Sequence, residues 1–136
     1  MLRLGRLLIL LEIKDDFVKI TIHDPALNCF ETREKLSPFF ESAYIVASEA
    51  AWIDIANANV HKGTTVEHLQ QILGVTPDQT MAFGDGYNDL ELMKRATFSF
   101  VVRNAVQELK DGSNFITRSN EEDAVMKTII QLLALQ

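Results

Sequence analysis

The sequence contains few of the features that build disulfide-stapled or membrane-spanning proteins. A single cysteine, Cys29, stands among 136 residues, so an intrachain disulfide is excluded and a small buried thiol is expected. An apolar run near the amino terminus, residues 7–11, is too short to cross a bilayer. No small-residue cleavage site follows it. We therefore predict a cytoplasmic protein that has no membrane partner.

Positive charge is also scarce. Thirteen lysine and arginine residues stand against nineteen aspartate and glutamate residues, which gives a net charge of −6. Domains that bind nucleic acids normally carry a basic surface, so we predict that nucleic acid is not a partner. Hydrophobic residues make up 47% of the chain, which is enough to bury the core of one compact domain or of two small lobes.

The first half of the chain has a mixed pattern. Residues 2–13 are compatible with a helix or a strand. The spacing of apolar residues predicts an amphipathic helix at residues 29–40. The β-branched composition predicts three strands, at residues 17–22, 43–47 and 51–55. We interpret residues 1–60 as a partial α+β region.

From residue 62 onward, short helices and strands alternate. Helices are predicted at residues 62–73, 88–94, 105–110 and 121–135, and strands at 79–83, 98–102 and 115–117. Such alternation predicts βαβ units and a parallel sheet. The predicted fold class is therefore α/β, with the parallel sheet in residues 61–136.

One stretch concentrates polar residues at the end of a predicted strand. Residues 81–90 read MAFGDGYNDL, so an apolar strand passes through two glycines into a predicted helix. Ligands of open α/β sheets bind at the carboxyl ends of strands, and Gly84 and Gly86 permit a tight turn and close backbone approach there. Asp85 and Asp89 are four residues apart and are expected to face one point.

Two converging carboxylates repel each other unless a cation lies between them. Magnesium is the expected ion, because it prefers carboxylate oxygens, retains waters and bridges to phosphate. A helix that begins here favours a bound anion, and Asn88 can donate a hydrogen bond to a phosphate or fix the loop. The alternative is a helix that is merely capped by acidic residues. The whole Gly-Asp-Gly-x-Asn-Asp pattern after a strand favours the metal loop.

Lys62 stands at the start of the predicted helix at residues 62–73. A lysine in this position opposes the helix dipole. It is either an ordinary solvated side chain or an ammonium that offsets the charge of a phosphate and a carboxylate. The small Gly63 that follows would let the chain approach a ligand closely.

These two stretches resemble known motifs. Residues 60–75 (VHKGTTVEHLQQILGV) and 81–105 (MAFGDGYNDLELMKRATFSFVVRNA) are similar to the third and fourth motifs of haloacid dehalogenase-like hydrolases, and most similar to the Cof-type branch. The resemblance covers nearly all of the chain after about residue 14. It implies the carboxyl-terminal half of a Rossmann-like parallel-sheet core, preceded by the end of an α+β cap.

The resemblance also implies roles for the matching residues. Lys62 matches the charge-stabilising catalytic lysine, which also contacts the substrate phosphate, and Asp85 and Asp89 match the magnesium-binding acids. Asn88 and Gly86 lie beside them and are expected to contact the phosphate or substrate. The implied activity is hydrolysis of small phosphate esters such as sugar phosphates. Mg²⁺ is thus the expected cofactor, and a small phosphorylated metabolite is the expected partner.

The sequence departs from the family pattern in one decisive way. The family's nucleophile lies in an Asp-x-Asp-x-Thr/Ser motif, whose second aspartate acts as acid and base, and no Asp-x-Asp occurs in the 136 residues. Residues 111–113 (DGS) and 46–48 (VAS) resemble parts of the missing motifs, but they are predicted to be a turn and a cap strand. Arg103 and Ala124 also replace family glycines.

Three explanations remain open. The chain is a truncated phosphatase, a degenerate relative with a binding role, or one half of an assembly whose partner supplies the missing strands. A partial parallel sheet exposes an edge and an apolar face, so we expect a homo-oligomer or association with the missing amino-terminal half. We predict little or no turnover by the isolated chain. The alternative function is a non-catalytic oligomerising or ligand-binding module.

Overall fold

The computed structural model describes residues 16–135, and the helix or strand predicted at residues 2–13 lies outside this range. Apart from one hairpin of two consecutive strands, strands and helices alternate along the described part of the chain. They are β1 (Lys19–His23), α1 (Cys29–Lys35), β2 (Ala43–Glu49), β3 (Trp52–Asn57), α2 (Lys62–Leu73), β4 (Met81–Gly84), α3 (Leu90–Met93), β5 (Phe98–Val101), α4 (Gln107–Asp111), β6 (Phe115–Ile116) and α5 (Ala124–Leu133).

The strands form two sheets of opposite type. The first sheet is antiparallel, with the order β1-β3-β2, and its hairpin pairs Ile45 with Ile55. The second sheet is parallel, with the order β4-β5-β6, and pairs Phe83 with Phe100 and Phe100 with Phe115. The prediction of an α/β protein with a parallel sheet is confirmed. The boundary between the two predicted regions, at residues 60 and 61, stays a prediction.

Each sheet has its own small core. In the antiparallel sheet, Ile45, Ala47 and Ile53 pack with Cys29 of α1. Cys29 is 1% exposed and free, so the expected buried thiol is confirmed. In the parallel sheet, side chains of one face and of the helices that cover it form a cluster with Ala82, Met93, Ala96, Val101, Val102, Ala105, Leu109 and Ala124.

The opposite face of the parallel sheet is aromatic and only partly covered. The register of the three strands places Met81, Phe83, Phe98, Phe100 and Phe115 on this face. The rings of Phe83, Phe100 and Phe115 stack at centroid distances of 5.4 and 5.0 Å. Met81, Phe98 and Phe115 remain 39–44% exposed. Parallel sheets are normally buried on both faces, so this aromatic face is unusual.

Helix α2 exposes most of its large apolar side chains. Leu69, Ile72 and Leu73 are 49%, 78% and 69% exposed. The buried residues of α2 are Gly63 and Gln70. The Gln70 amide donates to Thr80 Oγ1 at 2.9 Å and to the Arg95 carbonyl at 2.7 Å. The apolar stripe of α2 therefore has no cover among the described residues.

Helices α1 and α3 are shorter than predicted. The helix expected at residues 29–40 ends at Lys35, and a 3₁₀ turn that contains Pro38 follows it, because proline cannot continue an α-helix. The helix expected at 88–94 consists of a 3₁₀ turn, Tyr87–Asp89, and the four-residue helix α3. A segment this short has almost no macrodipole, so the helix-based argument for anion binding at this loop does not hold.

Two predicted exclusions are confirmed. Residues 46–48 lie in β2 of the antiparallel sheet and not in a parallel core strand. Residues 111–113 lie at the end of α4, where Gly112 forms the helix cap. No helix within residues 16–135 is both long and apolar enough to cross a membrane.

Four residues, 58–61, join the last strand of the antiparallel sheet, β3, to helix α2. This linker is tied at both ends by hydrogen bonds. The Val60 N–H donates to the Asn57 carbonyl at 2.9 Å, and the Thr64 hydroxyl donates to the Asn59 carbonyl at 2.8 Å. The first turn of α2 therefore follows the last residue of β3 with little freedom.

Candidate active site

Strand β4 carries the polar loop to the carboxyl edge of the parallel sheet. The strand ends at Gly84, and the loop then folds back toward α3. A Cβ atom at Gly84 would lie 2.8 Å from the Asp89 Cβ and 2.9 Å from the Met93 Cε. Such contacts are too short for any residue other than glycine, so Gly84 lets Asp89 lie directly against the strand.

Asp89 organises the loop from its interior. Its side chain is 4% exposed. Its Oδ2 accepts hydrogen bonds from the backbone N–H groups of Asp85 at 3.0 Å and Gly86 at 3.3 Å, and its Oδ1 accepts one from the Lys62 ammonium. A buried carboxylate is unfavourable unless it is paired and hydrogen-bonded, and Asp89 meets both conditions. It thereby joins the loop to α2.

Two local contacts hold Lys62 at the amino end of α2. His61 caps the helix, because its Nδ1 accepts from the Thr64 N–H at 3.3 Å. Gly63 is buried, and a Cβ there would lie 2.6 Å from the carbonyl oxygen of Glu91. Gly63 was expected to let the chain approach a ligand closely, but here it lets the first turn of α2 contact the backbone of α3. This contact places the Lys62 side chain beside Asp89.

Asp85, Gly86 and Asn88 form the outer part of the loop. The side chain of Asp85 is exposed, and within residues 16–135 it makes no hydrogen bond. The Asn88 Oδ1 lies 3.2 Å from the position that a Cβ of Gly86 would occupy. The structure thus brings all five predicted site residues, including Lys62 and Asp89, into one small region.

The donor atoms of this loop suit a hard cation but do not complete a site. In the described part of the chain, no three His, Cys, Asp or Glu side chains converge as metal ligands. Asp85 offers an exposed carboxylate, whereas the oxygens of Asp89 already accept three hydrogen bonds. Magnesium is commonly held by one or two carboxylates, with phosphate and water as the remaining ligands. The loop fits magnesium if other oxygen ligands join Asp85.

A cleft of about 330 Å³ lies between β2 and the loop region. Across it, the Tyr44 hydroxyl donates to Glu91 Oε2 at 3.2 Å. Burial and the neighbouring Glu91 carboxylate raise the pKa of Tyr44 above its ordinary value, and Glu108 raises the pKa of Tyr87. No role was predicted for these residues, because Tyr44 and Glu91 are 47 positions apart and no local pattern links them.

A second polar junction connects the loops that follow β5 and β6. The Asn104 Oδ1 accepts hydrogen bonds from the Ser119 hydroxyl and the Asn120 N–H, both at 3.1 Å. Arg103, which replaces a family glycine, is 67% exposed and lies 3.8 Å from Glu122. Its side chain therefore extends from the loop surface and does not fill the interior of the loop.

Comparison with known proteins gives consistent matches. The chain is 38% identical over 84 residues to the 5-amino-6-(5-phospho-D-ribitylamino)uracil phosphatase YwtE of Bacillus subtilis, and the match covers 62% of the chain and 29% of YwtE. The structure of SMU.1108c from Streptococcus mutans UA159 matches with a TM-score of 0.81 at 30% identity, over 90% of the chain and 47% of that protein.

A HAD/COF-like hydrolase from Plasmodium vivax has the same fold, with a TM-score of 0.85 at 20% identity over 96% of the chain and 46% of that protein. The chain spans less than half the length of the curated relatives that it matches. The fold therefore agrees with the resemblance to the Cof-type branch that the motifs predicted.

The sequence model of the haloacid dehalogenase-like hydrolases matches residues 8–129. This range contains Lys62, its partner Asp89 and the complete loop at the end of β4. The chain belongs to the haloacid dehalogenase-like hydrolase family.

Proposed function

We propose that this chain supplies the lysine and the magnesium-binding loop of a phosphatase that hydrolyses small phosphate esters such as sugar phosphates. One observation carries the proposal. The Lys62 ammonium contacts the buried Asp89 carboxylate, and the same carboxylate holds the amides of the loop at the carboxyl end of β4. This is the location at which parallel α/β sheets bind their ligands.

Each residue of the loop has a distinct proposed part. Asp85, which is exposed, binds Mg²⁺ directly, and Asp89 contributes to the metal site through water while it holds the loop. The half-exposed Lys62 offsets negative charge that develops on the phosphoryl group. Asn88 and Gly86 approach the phosphate or substrate. When bound, the magnesium ion would polarise phosphoryl oxygens and neutralise part of their charge.

The substrate class rests on the relatives. YwtE is a phosphatase of a phosphorylated ribityl compound, which is a small phosphate ester. We propose the same broad class for this protein, with neither nucleic acid nor membrane as a partner. The net charge of −6 supports the first exclusion, and the single cysteine agrees with a location in the reducing cytoplasm.

The missing nucleophile defines what the isolated chain is expected to do. With no Asp-x-Asp in its sequence, the 136-residue chain should show no turnover above that of its Asp85→Asn variant, in a phosphatase assay with Mg²⁺ and a panel of small phosphate esters. We propose that the nucleophile comes from a missing amino-terminal half of the core. Robust turnover by the chain alone would contradict this.

The sequence that precedes the chain in its gene provides the positive test. An in-frame Asp-x-Asp-x-Thr/Ser motif upstream would allow a longer polypeptide to be expressed and assayed. We expect Mg²⁺-dependent phosphatase activity from it, and loss of that activity in Asp85→Asn and Lys62→Met variants. A folded longer protein with the motif but without activity on the panel would refute the proposed function.

A second candidate function is a non-catalytic module that oligomerises or binds a ligand. The partly exposed aromatic face of the parallel sheet favours it, because exposed apolar patches commonly mark interaction surfaces. This candidate predicts a defined oligomer and no change of its binding function in an Asp85→Ala variant. Absence of any upstream nucleophile motif would favour it over the phosphatase.

A further inference from the structure

Tyr44 lies where the antiparallel sheet meets the elements that carry the candidate site. It is the second residue of β2. Its neighbour in sequence, Ile45, packs with Cys29 on the α1 side of the sheet. Side chains alternate along a strand, so Tyr44 extends from the opposite face, where its hydroxyl reaches Glu91 Oε2.

Glu91 links Tyr44 to the residue that follows Lys62. The side chain of Glu91 accepts the Tyr44 hydrogen bond, whereas its backbone is in contact with α2. A Cβ at Gly63 would lie 2.6 Å from the Glu91 carbonyl oxygen and 2.9 Å from the Glu91 Cβ. No side chain separates the two helices at this point. A shift of the Glu91 backbone would therefore displace the first turn of α2, which packs against it.

Tyr44 also touches the residue that precedes Lys62. The rings of Tyr44 and His61 lie with centroids 5.1 Å apart and a tilt of 41°. His61 is the residue that caps α2 through Thr64. The Tyr44 ring thus contacts His61, which caps α2, and the Tyr44 hydroxyl contacts Glu91, which packs against α2.

We propose that Tyr44 is a positioning residue, which holds the amino end of α2 so that the Lys62 ammonium stays on Asp89. The Lys62 side chain is 50% exposed, and a half-exposed lysine has many rotamers available. Its contact with Asp89 depends on where α2 begins. Asp89 in turn holds the amides of Asp85 and Gly86. The consequence for phosphate chemistry rests on the proposed function, but the geometric claim does not.

A role in positioning differs from a role in filling space. Tyr44→Phe retains the ring and its contact with His61 but removes the hydroxyl. Glu91→Gln retains an oxygen that accepts the hydrogen bond. If the hydroxyl positions α2, Tyr44→Phe should disturb the distant amides of Asp85 and Gly86, and Glu91→Gln should disturb them much less.

Amide hydrogen exchange of the full 136-residue chain, followed by NMR, measures this directly. In Tyr44→Phe, exchange of the Asp85 and Gly86 amides should accelerate about tenfold, as expected from loss of one hydrogen bond to a charged group. The amide of Val101, in the centre of the parallel sheet, should be unaffected. Ser42→Ala, which removes a hydroxyl bonded to Phe39 just before β2, serves as the control and should leave the Asp85 and Gly86 amides unaffected.

The double variant Tyr44→Phe with Lys62→Met tests whether Tyr44 acts through Lys62. Lys62→Met alone should accelerate the same two amides, and adding Tyr44→Phe should accelerate them little further. Unchanged exchange in Tyr44→Phe, equal acceleration of the Val101 amide, or fully multiplicative effects in the double variant would each overturn the proposal. Because the readout is not enzymatic, these outcomes are independent of whether the protein is a phosphatase.

Discussion

Lys62 and Asp89 form an ion pair whose two partners differ sharply in exposure: the lysine side chain is 50% exposed and the aspartate 4%. The accessible ammonium is available to an incoming anion. The buried carboxylate is fixed by two backbone amides. The pair is therefore rigid on one side and reachable on the other, which suits a site that binds phosphate.

Removing the lysine should destabilise the fold. In Lys62→Met, the buried Asp89 carboxylate keeps its amide donors but loses its cation. We expect the free energy of unfolding to fall by about 1–3 kcal/mol, measured by urea denaturation with circular dichroism. Lys35→Met is the matched control, because Lys35 pairs with Glu31 on the surface at 71% and 67% exposure. Equal effects of the two substitutions would show that Asp89 does not need Lys62.

Replacement of Gly63 by alanine should destabilise the fold more than replacement of Gly112. In Gly63→Ala, the new Cβ would collide with the Glu91 backbone at 2.6 Å, so α2 and α3 must separate. Overpacking of this kind costs about 1–3 kcal/mol. At Gly112, the nearest atom to a new Cβ is 3.4 Å away, so Gly112→Ala should change stability by much less. Thermal unfolding of both variants checks this difference.

Stability should fall at alkaline pH because of Tyr44. Burial and Glu91 raise its pKa in the folded protein, so between pH 10 and that raised pKa the folded state holds a proton that the unfolded state has released. Because the folded state binds more protons in this window, the free energy of unfolding decreases as pH rises through it. Below pH 10 the stabilising contribution of protonated Tyr44 is fully present.

The comparison of wild type with Tyr44→Phe isolates this contribution. Other charged groups around the hydroxyl, Arg33 and Asp89, are present in both proteins, as is His61. We expect the loss of stability between about pH 10 and pH 11.5 to be steeper in the wild type than in the variant. Parallel curves of unfolding free energy against pH would show that Tyr44 titrates alike in the folded and unfolded states.

The aromatic face of the parallel sheet should promote self-association of the isolated chain. Phe98 is 39% exposed on this face, and a charge there should oppose contact with a second apolar surface. We expect Phe98→Lys to lower the average mass measured by sedimentation at high protein concentration. Phe39→Lys, at a site that is 59% exposed and outside the parallel sheet, should have little effect. A monomeric wild type would contradict the prediction.

The local part of the site was predictable from sequence, whereas the long-range part was not. The strand, glycines and acids of residues 81–89 are adjacent in the chain, so their pattern predicted the loop. The contact of Tyr44 with Glu91 has no local signature. The exposure of Leu69 and Ile72 could not be predicted either, since periodicity identifies an apolar face but not whether another element covers it.

The four-residue linker at 58–61 has a consequence for mechanical coupling. Hydrogen bonds hold both of its ends, so β3 and α2 cannot move independently of each other. A change in the orientation of the antiparallel sheet would therefore displace the amino end of α2. The antiparallel sheet contributes none of the five predicted site residues, yet its movement would shift Lys62.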